Sequence, residues 1–408
     1  MFIIHPRYIF LCDEAFSIVE NKAFVFDERI IEIGEFERLK QKYPQATLIS
    51  TPPNSLVLPA FINPHTHLEF SANSYTLHYG DFLGWLNSVM SSRAALRKSS
   101  GTTLIKQVLQ MMMKSGTGTV GEISSFGKDL KACIQSPMRV VFFNEILGAN
   151  EADNDAKQSE FLERFEKSKK FKSKLFIPAL SLHGTYSTNE KLAKFILTLA
   201  KKERLLVSTH FLESKDELKW LKNGTGAFKE WLKFAEKKPR PSYSPQSFVA
   251  LFETQRTLFT HCVWADDFEF FNKNLHFITH CAFSNRLLSQ RTFALKKALQ
   301  SGISVHLGTD GLSSNISLSM LDEMRANLLI HKDFAPLSEF AKTLILMATR
   351  NGAKALNLEL GEIKAGKIAD LSVFEVGECD LTQLPLQFIL NAKKVSKLFI
   401  QGRECRLS

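Results

Sequence analysis

The sequence predicts an α/β protein: a (β/α)8 TIM barrel carrying a small β-sandwich assembled from both ends of the chain. Three observations point there. Between residues 56 and 311, eight short apolar runs alternate with longer amphipathic stretches, as expected of repeated parallel βα units. Nearly every run ends in a histidine, glutamate or aspartate. At both ends of the chain the pattern changes to short Ile-, Val- and Phe-rich segments separated by polar turns.

Taken in order, "FIIHPRYIFL", "AFSIVENKAFVFD" and "RIIEIGEF" read as short strands of the first segment, residues 1–57. The eight barrel strands are expected at "LVLPAFINPH", "GTGTVGEI", "RVVFFNEIL", "LFIPALSLH", "LLVSTHFLE", "RTLFTHCV", "LHFITHCAFS" and "ISVHLGTDG". Helical partners such as "TLIKQVLQMMMKSG", "NEKLAKFILTLAKKE" and "QRTFALKKALQSG" fall between several of them. Gly116 and Gly302 stand where a helix C-terminus hands over to the next strand. Eight such units favour closure into a barrel over 58–357, with an open doubly wound sheet as the structural alternative. "GKIADLSVFEV", "LPLQFIL" and "VSKLFIQGRECRL" then read as strands of residues 358–408, which complete the composite β-domain with 1–57.

Composition narrows the setting. The chain has 408 residues, 44% apolar and 23% charged, ordinary values for a globular protein. No run has the length of a membrane span, and "MFIIHPRYIF" lacks the pattern of a secretory leader, so a cytoplasmic location is expected. The six cysteines are scattered without a CxxC pair, which fits a reducing compartment and argues against a cysteine-bound zinc. A net charge of +10 comes with no arginine-rich tract or nucleic-acid motif, so neither nucleic acid nor membrane is expected as a partner. The oligomeric state stays open, a homo-oligomer included.

The strand tips carry the chemistry. Side chains two apart on an extended chain share a face, so His65 and His67 in "FINPHTHLEF" aim at one point, whereas a helix would splay them about 200° apart. A closed parallel barrel gathers His65, His67, Glu122, Glu145, His183, His210, His261, His280 and Asp310 at one mouth, where active sites of this fold are built. His65, His67, His210 and Asp310 then form a three-nitrogen, one-oxygen set suited to one Zn2+ or Fe2+. Such an ion brings the pKa of a water down towards about 7. Glu213, three residues beyond His210, is placed to exchange protons beside it, His261 to orient the water or polarise a leaving group, and Asp310 to take a proton. His183 and His280 each carry both a substrate-contact and a structural reading. His306 is expected to be packed, and nothing in the sequence lifts His5, His78, His276 or His331 above ordinary surface or core histidines.

In sequence order, "LPAFINPHTHLEFS", "LHGTYS", "THFLES", "FTHCVWAD", "THCAFSN" and "HLGTDGLSSNISLSMLDEMR" resemble the amidohydrolase superfamily, in particular its mononuclear deaminase branch, and "LGEIKAGKIADLSVFE" resembles the return from barrel to β-sandwich. Two-metal relatives use a carboxylated lysine at the fourth strand tip. Here that tip is His183, and Lys172 and Lys174 lie at the other end of the strand, so one metal is expected. The resemblance implies hydrolytic deamination of an aminated heterocycle, with His65, His67, His210 and Asp310 holding the metal, Glu213 protonating the ring nitrogen, and His261 and Asp310 managing the water. It places His183 and His280 on the substrate side.

Relatives acting on S-adenosylhomocysteine tend to carry arginines after the third strand, where this chain reads "FFNEILGANEADNDAK". The "HTHLEFS" variant, with Glu69 after the histidine pair, is more similar to the subgroup that removes the 6-amino group from an adenine nucleoside bearing a benzoate tail, on the futalosine route to menaquinone. An adenine nucleoside derivative is therefore the expected substrate, with adenosine, methylthioadenosine, S-adenosylhomocysteine or C–Cl hydrolysis of another heterocycle as alternatives, and an inactive binding barrel as a reading from a different class. Ala60 departs from the glycine of many relatives. Phe82 and Trp85 in "DFLGWLNSVM" suit a lid over the base or, equally, the buried face of a helix. Glu69 and Glu145 suit ribose hydroxyls or supporting hydrogen bonds. Arg93 or Arg97 suits a substrate carboxylate or a solvated helix face.

Overall fold

A computed structural model describes residues 1–72, 76–234 and 237–407. Its centre is an all-parallel sheet of eight strands in chain order: β1 (Phe61–Thr66), β2 (Thr117–Ser124), β3 (Arg139–Ile146), β4 (Phe176–Gly184), β5 (Val207–Phe211), β6 (Thr257–His261), β7 (His276–His280) and β8 (Ser304–Leu307). A parallel bridge from Thr66 to Asp310 joins the end of β1 to the segment after β8, reinforced by a 3.1 Å bond from the Asp310 amide to the His65 carbonyl. The sheet thus closes on itself, the (β/α)8 barrel that the alternation of runs predicts.

Period-two alternation sorts each strand between two layers. On β3, Val140 and Phe142 join the cluster shared with the surrounding helices, while Val141 and Phe143 join a second cluster with Ile62, Ile123, Ala179, Leu258 and Phe277. That second set is the barrel interior, and Glu145 continues its face towards the mouth. Gly116 and Gly302 adopt φ of +97° and +82°, the left-handed turn that lets a helix pass directly into a strand. A Cβ on Gly116 would also meet the Phe374 ring at 2.8 Å.

Six strands from both ends of the chain form another sheet, in the order Arg403–Glu404, Lys397–Ile400, Leu371–Glu375, Ser55–Pro59, Tyr8–Phe10, Ile18–Glu20. A four-stranded sheet of Ile30–Gly34, Ala23–Phe26, Phe2–Ile4 and Thr47–Ile49 accompanies it. Ile4, Ile9, Phe24, Phe26, Val57, Leu371, Val373 and Phe399 share one buried cluster between them. Below β3, Arg139 reaches the buried Asp370 at 3.0 Å, tying barrel to sandwich.

Two expected elements differ. The run "LVLPAFINPH", expected as one barrel strand, divides: Ser55–Pro59 pairs with Leu371–Glu375 and Tyr8–Phe10 in the six-stranded sheet, and only Phe61–Thr66 enters the barrel. "LPLQFIL" forms a helix, Leu384–Asn391, instead of a strand. Its buried residues are Leu384, Pro385, Phe388 and Ile389, a helical spacing. Pro385 sits in the first turn, where no amide donor is needed, and Phe388 packs on Phe374 and Phe61 with ring centroids 5.0 and 6.3 Å away. A short, mostly apolar run does not distinguish helix from strand; the Phe61–Phe374 surface that receives Phe388 does.

Candidate metal and active site

The mouth of the barrel opens into a cavity of about 950 Å3 lined by His67, His183, His210, Glu213, His261 and Asp310, with Trp85, Arg93, Phe126 and Glu145 on its walls. At its floor, ring nitrogens of His65, His67 and His210 lie within 4.8 Å of one another, and so do donor atoms of His65, His261 and Asp310. His67 Nε2 is 3.3 Å from His210 Nε2, and Asp310 Oδ1 is 3.4 Å from His67 Nε2 and 3.6 Å from His65 Nε2. Strand pairing sets this level: His210 lies opposite Gly184 on one side and Thr260 on the other.

The groups are tuned for cation binding. Burial pushes the His67 ring down to about 4, with Asp310 partly opposing, and burial joined by neighbouring imidazoles takes His210 well below its usual range. Both rings are therefore neutral at pH 7, the state in which imidazole offers a lone pair. Burial opposes a charge on Asp310, yet the close approach of His65 and the fields of His67 and His261 hold its carboxyl well below the ordinary range. The entirely buried His65 Nε2 has no hydrogen-bond partner among the described residues, an arrangement costly without a ligand. These donors fit a divalent ion.

Supporting contacts fix the donors. The Thr260 hydroxyl lies 3.2 Å from His65 Nδ1, so Nε2 is the nitrogen directed inward. Ser284 and Ser314 donate to Asp310 Oδ2 at 2.7 and 2.6 Å, leaving Oδ1 for the cage. Asp310 and His261 both adopt left-handed backbone, φ 59° and 74°. Alternation alone would set His261 on the outer face with Phe259; the departure from strand geometry accompanies its ring lining the cavity, strain of the kind held at functional sites.

Glu213 Oε1 is 3.4 Å from His261 Nε2. Burial first, then the charges of Asp310 and Glu217, raise its carboxyl well above the usual range, a shift that favours the protonated acid. Glu217 anchors it by accepting the Glu213 and Leu212 amides at 2.8 and 3.1 Å.

The remaining expected residues divide. His183 and Glu145 line the cavity, and Glu145 accepts from the Ser125 hydroxyl at 2.6 Å. Trp85 also lines it, its indole N–H donating to the Ser313 carbonyl at 2.8 Å, while Phe82 is buried against Tyr186 and Phe228; both readings of that helix hold in part. Arg93 lies on the wall with its guanidinium 4.5 Å from the Phe126 ring centroid, and the Arg97 side chain lies outside the described residues. Glu69 and His280 are not brought to the cavity. Glu69 accepts the Phe126 and Lys128 amides at 2.7 and 2.8 Å, because the short helical turn Leu68–Phe70 aims it at the loop after β2. His280 shares the parity of Ile278, which faces the helices. Glu122 likewise faces away, accepting from the Thr66 hydroxyl and the Leu68 amide at 2.7 and 2.9 Å. Sequence reasoning missed Thr260, Ser284, Ser314 and Glu217, although Thr260, Ser284 and Ser314 stood inside stretches that carried the resemblance.

A closed βα barrel whose strand tips converge in a histidine–aspartate cage defines a metal-assisted hydrolase, and the chain belongs to the amidohydrolase family, whose model matches residues 56–405. It is 43% identical over 393 residues to an aminodeoxyfutalosine deaminase from a Nitratiruptor species, covering 95% of this chain and 96% of that one. It is 41% identical to a protein of Helicobacter pylori named adenosine deaminase, covering 98% of each. The crystal structure of Helicobacter pylori aminofutalosine deaminase in complex with methylthio-coformycin superposes with a TM-score of 0.93 at 40% identity, covering 100% of both chains. The chain is a hydrolytic deaminase.

Proposed function

We propose that this enzyme hydrolyses the 6-amino group of aminodeoxyfutalosine, an adenine nucleoside with a benzoate tail, giving futalosine and ammonia for menaquinone biosynthesis. The observation that carries the chemistry is the buried Glu213 carboxyl, its pKa raised by that burial, 3.4 Å from His261 at the edge of the histidine–aspartate cage. The substrate assignment is supported by the 43% identical relative of that name and by a cavity near the top of the range of about 300–1,000 Å3 for small-molecule sites, larger than a bare nucleoside requires.

His65, His67, His210 and Asp310 would hold one Zn2+ or Fe2+, both of which accept this donor set. Bound there, the ion supplies Lewis acidity that makes hydroxide available at neutral pH. Asp310 and His261 orient the attacking water and take its proton. Glu213 gives its proton to the ring nitrogen beside C6, which drains the charge that builds as oxygen adds. A C6–O bond forms, the C6–N bond breaks, and the protonated amino group leaves as ammonia. Of the residues lining the cavity, Glu145 would meet the ribose hydroxyls, His183 would stand near the reacting ring, and Trp85 would cover the base.

The test is a spectrophotometric panel of aminodeoxyfutalosine, adenosine, methylthioadenosine and S-adenosylhomocysteine on metal-analysed protein. The highest kcat/KM is expected for aminodeoxyfutalosine. The relative named adenosine deaminase favours the same reaction on a shorter nucleoside, and preference for adenosine would replace the tail assignment with that reading.

A further inference from the structure

His280, turned away from the cavity, is part of a continuous hydrogen-bonded line. His261 Nδ1 lies 2.8 Å from Asn285 Oδ1. Asn285 Nδ2 donates to His280 Nδ1 at 3.1 Å. His280 Nε2 lies 3.0 Å from His331 Nε2. His331 caps the helix Met320–Ile330 and lines a second cavity, of about 430 Å3, with Lys296, Lys297 and Asp333. One line of three rings and one amide therefore spans the wall of the barrel from the reaction centre to a separate cavity.

An amide oxygen only accepts and an amide nitrogen only donates, whereas a neutral imidazole does one at each nitrogen. The Asn285 orientation consequently dictates every proton in the line. His261 carries its proton on Nδ1 and keeps the Nε2 lone pair facing Glu213. His280, accepting at Nδ1, carries its proton on Nε2, and His331 accepts at Nε2 and is protonated on Nδ1. Turning the Asn285 amide over reverses all three rings and leaves His261 Nε2 already protonated, unable to receive the proton of an attacking water. The two polarities differ at the far end in whether His331 Nε2 accepts or donates.

We propose that His331 is a positioning residue for deamination, acting through His280 and Asn285 to hold His261 with its Nε2 lone pair directed at the reacting water. The assignment rests on His261 belonging to the deaminating site. Burial keeps the line neutral: it pushes His331 down to about 4 and takes His280 well below the ordinary range, with His331 and His261 adding to the effect. A neutral His331 retains the lone pair on which the line ends. Truncated polar partners that orient active-site imidazoles typically cost about 10–100-fold; three bonds of separation place His331 at the lower end.

The decisive measurement uses zinc-loaded wild-type enzyme with 15N-labelled histidine. Ring correlation spectra are expected to show Nδ1–H for His261 and His331 and Nε2–H for His280; an Nε2–H form of His261 would overturn the proposal even if every variant failed to fold. His331→Phe, which keeps a ring and removes the acceptor, should lower kcat about tenfold with KM and zinc stoichiometry unchanged. His331→Gln, which restores an acceptor at the position of Nε2, should recover it. Wild-type kcat in the Phe variant, or equal losses in both, would reduce His331 to packing. Failure of the wild-type enzyme on the whole nucleoside panel would instead sink the functional reading, whatever the tautomers.

Discussion

Replacing Glu213 with glutamine removes a single titrating proton while preserving the shape of a carboxylic acid. The structure makes this substitution unusually clean. Burial and two nearby carboxylates raise the Glu213 pKa and favour its neutral form, which the amide resembles, and the backbone stays fastened by Glu217 at 2.8 Å and by the Ser289 hydroxyl on its carbonyl. Metal content and stability should change little. What disappears is the proton delivered to the ring nitrogen, and positioned acids of this kind contribute about 10²–10⁴-fold, or roughly 2.7–5.4 kcal/mol of barrier. The readout is the absorbance change as an adenine nucleoside becomes its hypoxanthine counterpart, with zinc and iron measured on the same sample. The wild-type rate should also fall as pH rises through the elevated Glu213 pKa, because the acid must be protonated to act, and the variant should lack that alkaline limb. Near-wild-type turnover with full metal content would remove Glu213 from the mechanism.

His65→Ala takes away the imidazole that faces both His67 and Asp310, and metal analysis should show a loss of bound ion; full stoichiometry would show that the ligand set is wrong. Arg139→Met strands the buried Asp370 carboxylate, which should destabilise the fold by about 3–5 kcal/mol, with much of the loss recovered by adding Asp370→Leu; thermal denaturation distinguishes this from an ordinary surface pair. Arg93→Ala should reduce kcat/KM for the benzoate-bearing nucleoside by about 10–100-fold, the worth of a charge-assisted hydrogen bond, while sparing methylthioadenosine. Equal losses on both substrates would place Arg93 in the scaffold.

The barrel was legible because hydrophobic alternation and strand-end polar residues are local signals, and the cage followed because a closed parallel sheet admits one mouth. His280 shows the limit of reading tips alone. Counting back through Thr279 and Ile278 assigns it to the helical face, so parity along β7 already separates it from the cavity. His261 breaks the same rule in the other direction, through a left-handed backbone that no pattern of apolar residues announces. Glu69 was illegible for another reason: its partners, the amides of Phe126 and Lys128, are 57 and 59 residues away and meet it only after β1 and β2 have paired. His331 depends on a helix docking against β7, and the mostly apolar run at 384–390 became a helix because of the phenylalanine surface it covers.

The bridge between Thr66 and Asp310 is also a seam in time. During synthesis the two histidines that follow Phe61 emerge long before their aspartate, and Asn63 and Thr309, hydrogen-bonded across the same junction, are 246 positions apart. A nascent chain can therefore gather only part of the cage until translation has passed residue 310. An ion captured at the completed seam fastens the first and last staves together, so its affinity adds directly to the resistance of the barrel to springing open. Metal supply would then govern how much intact enzyme persists as well as how fast it turns over.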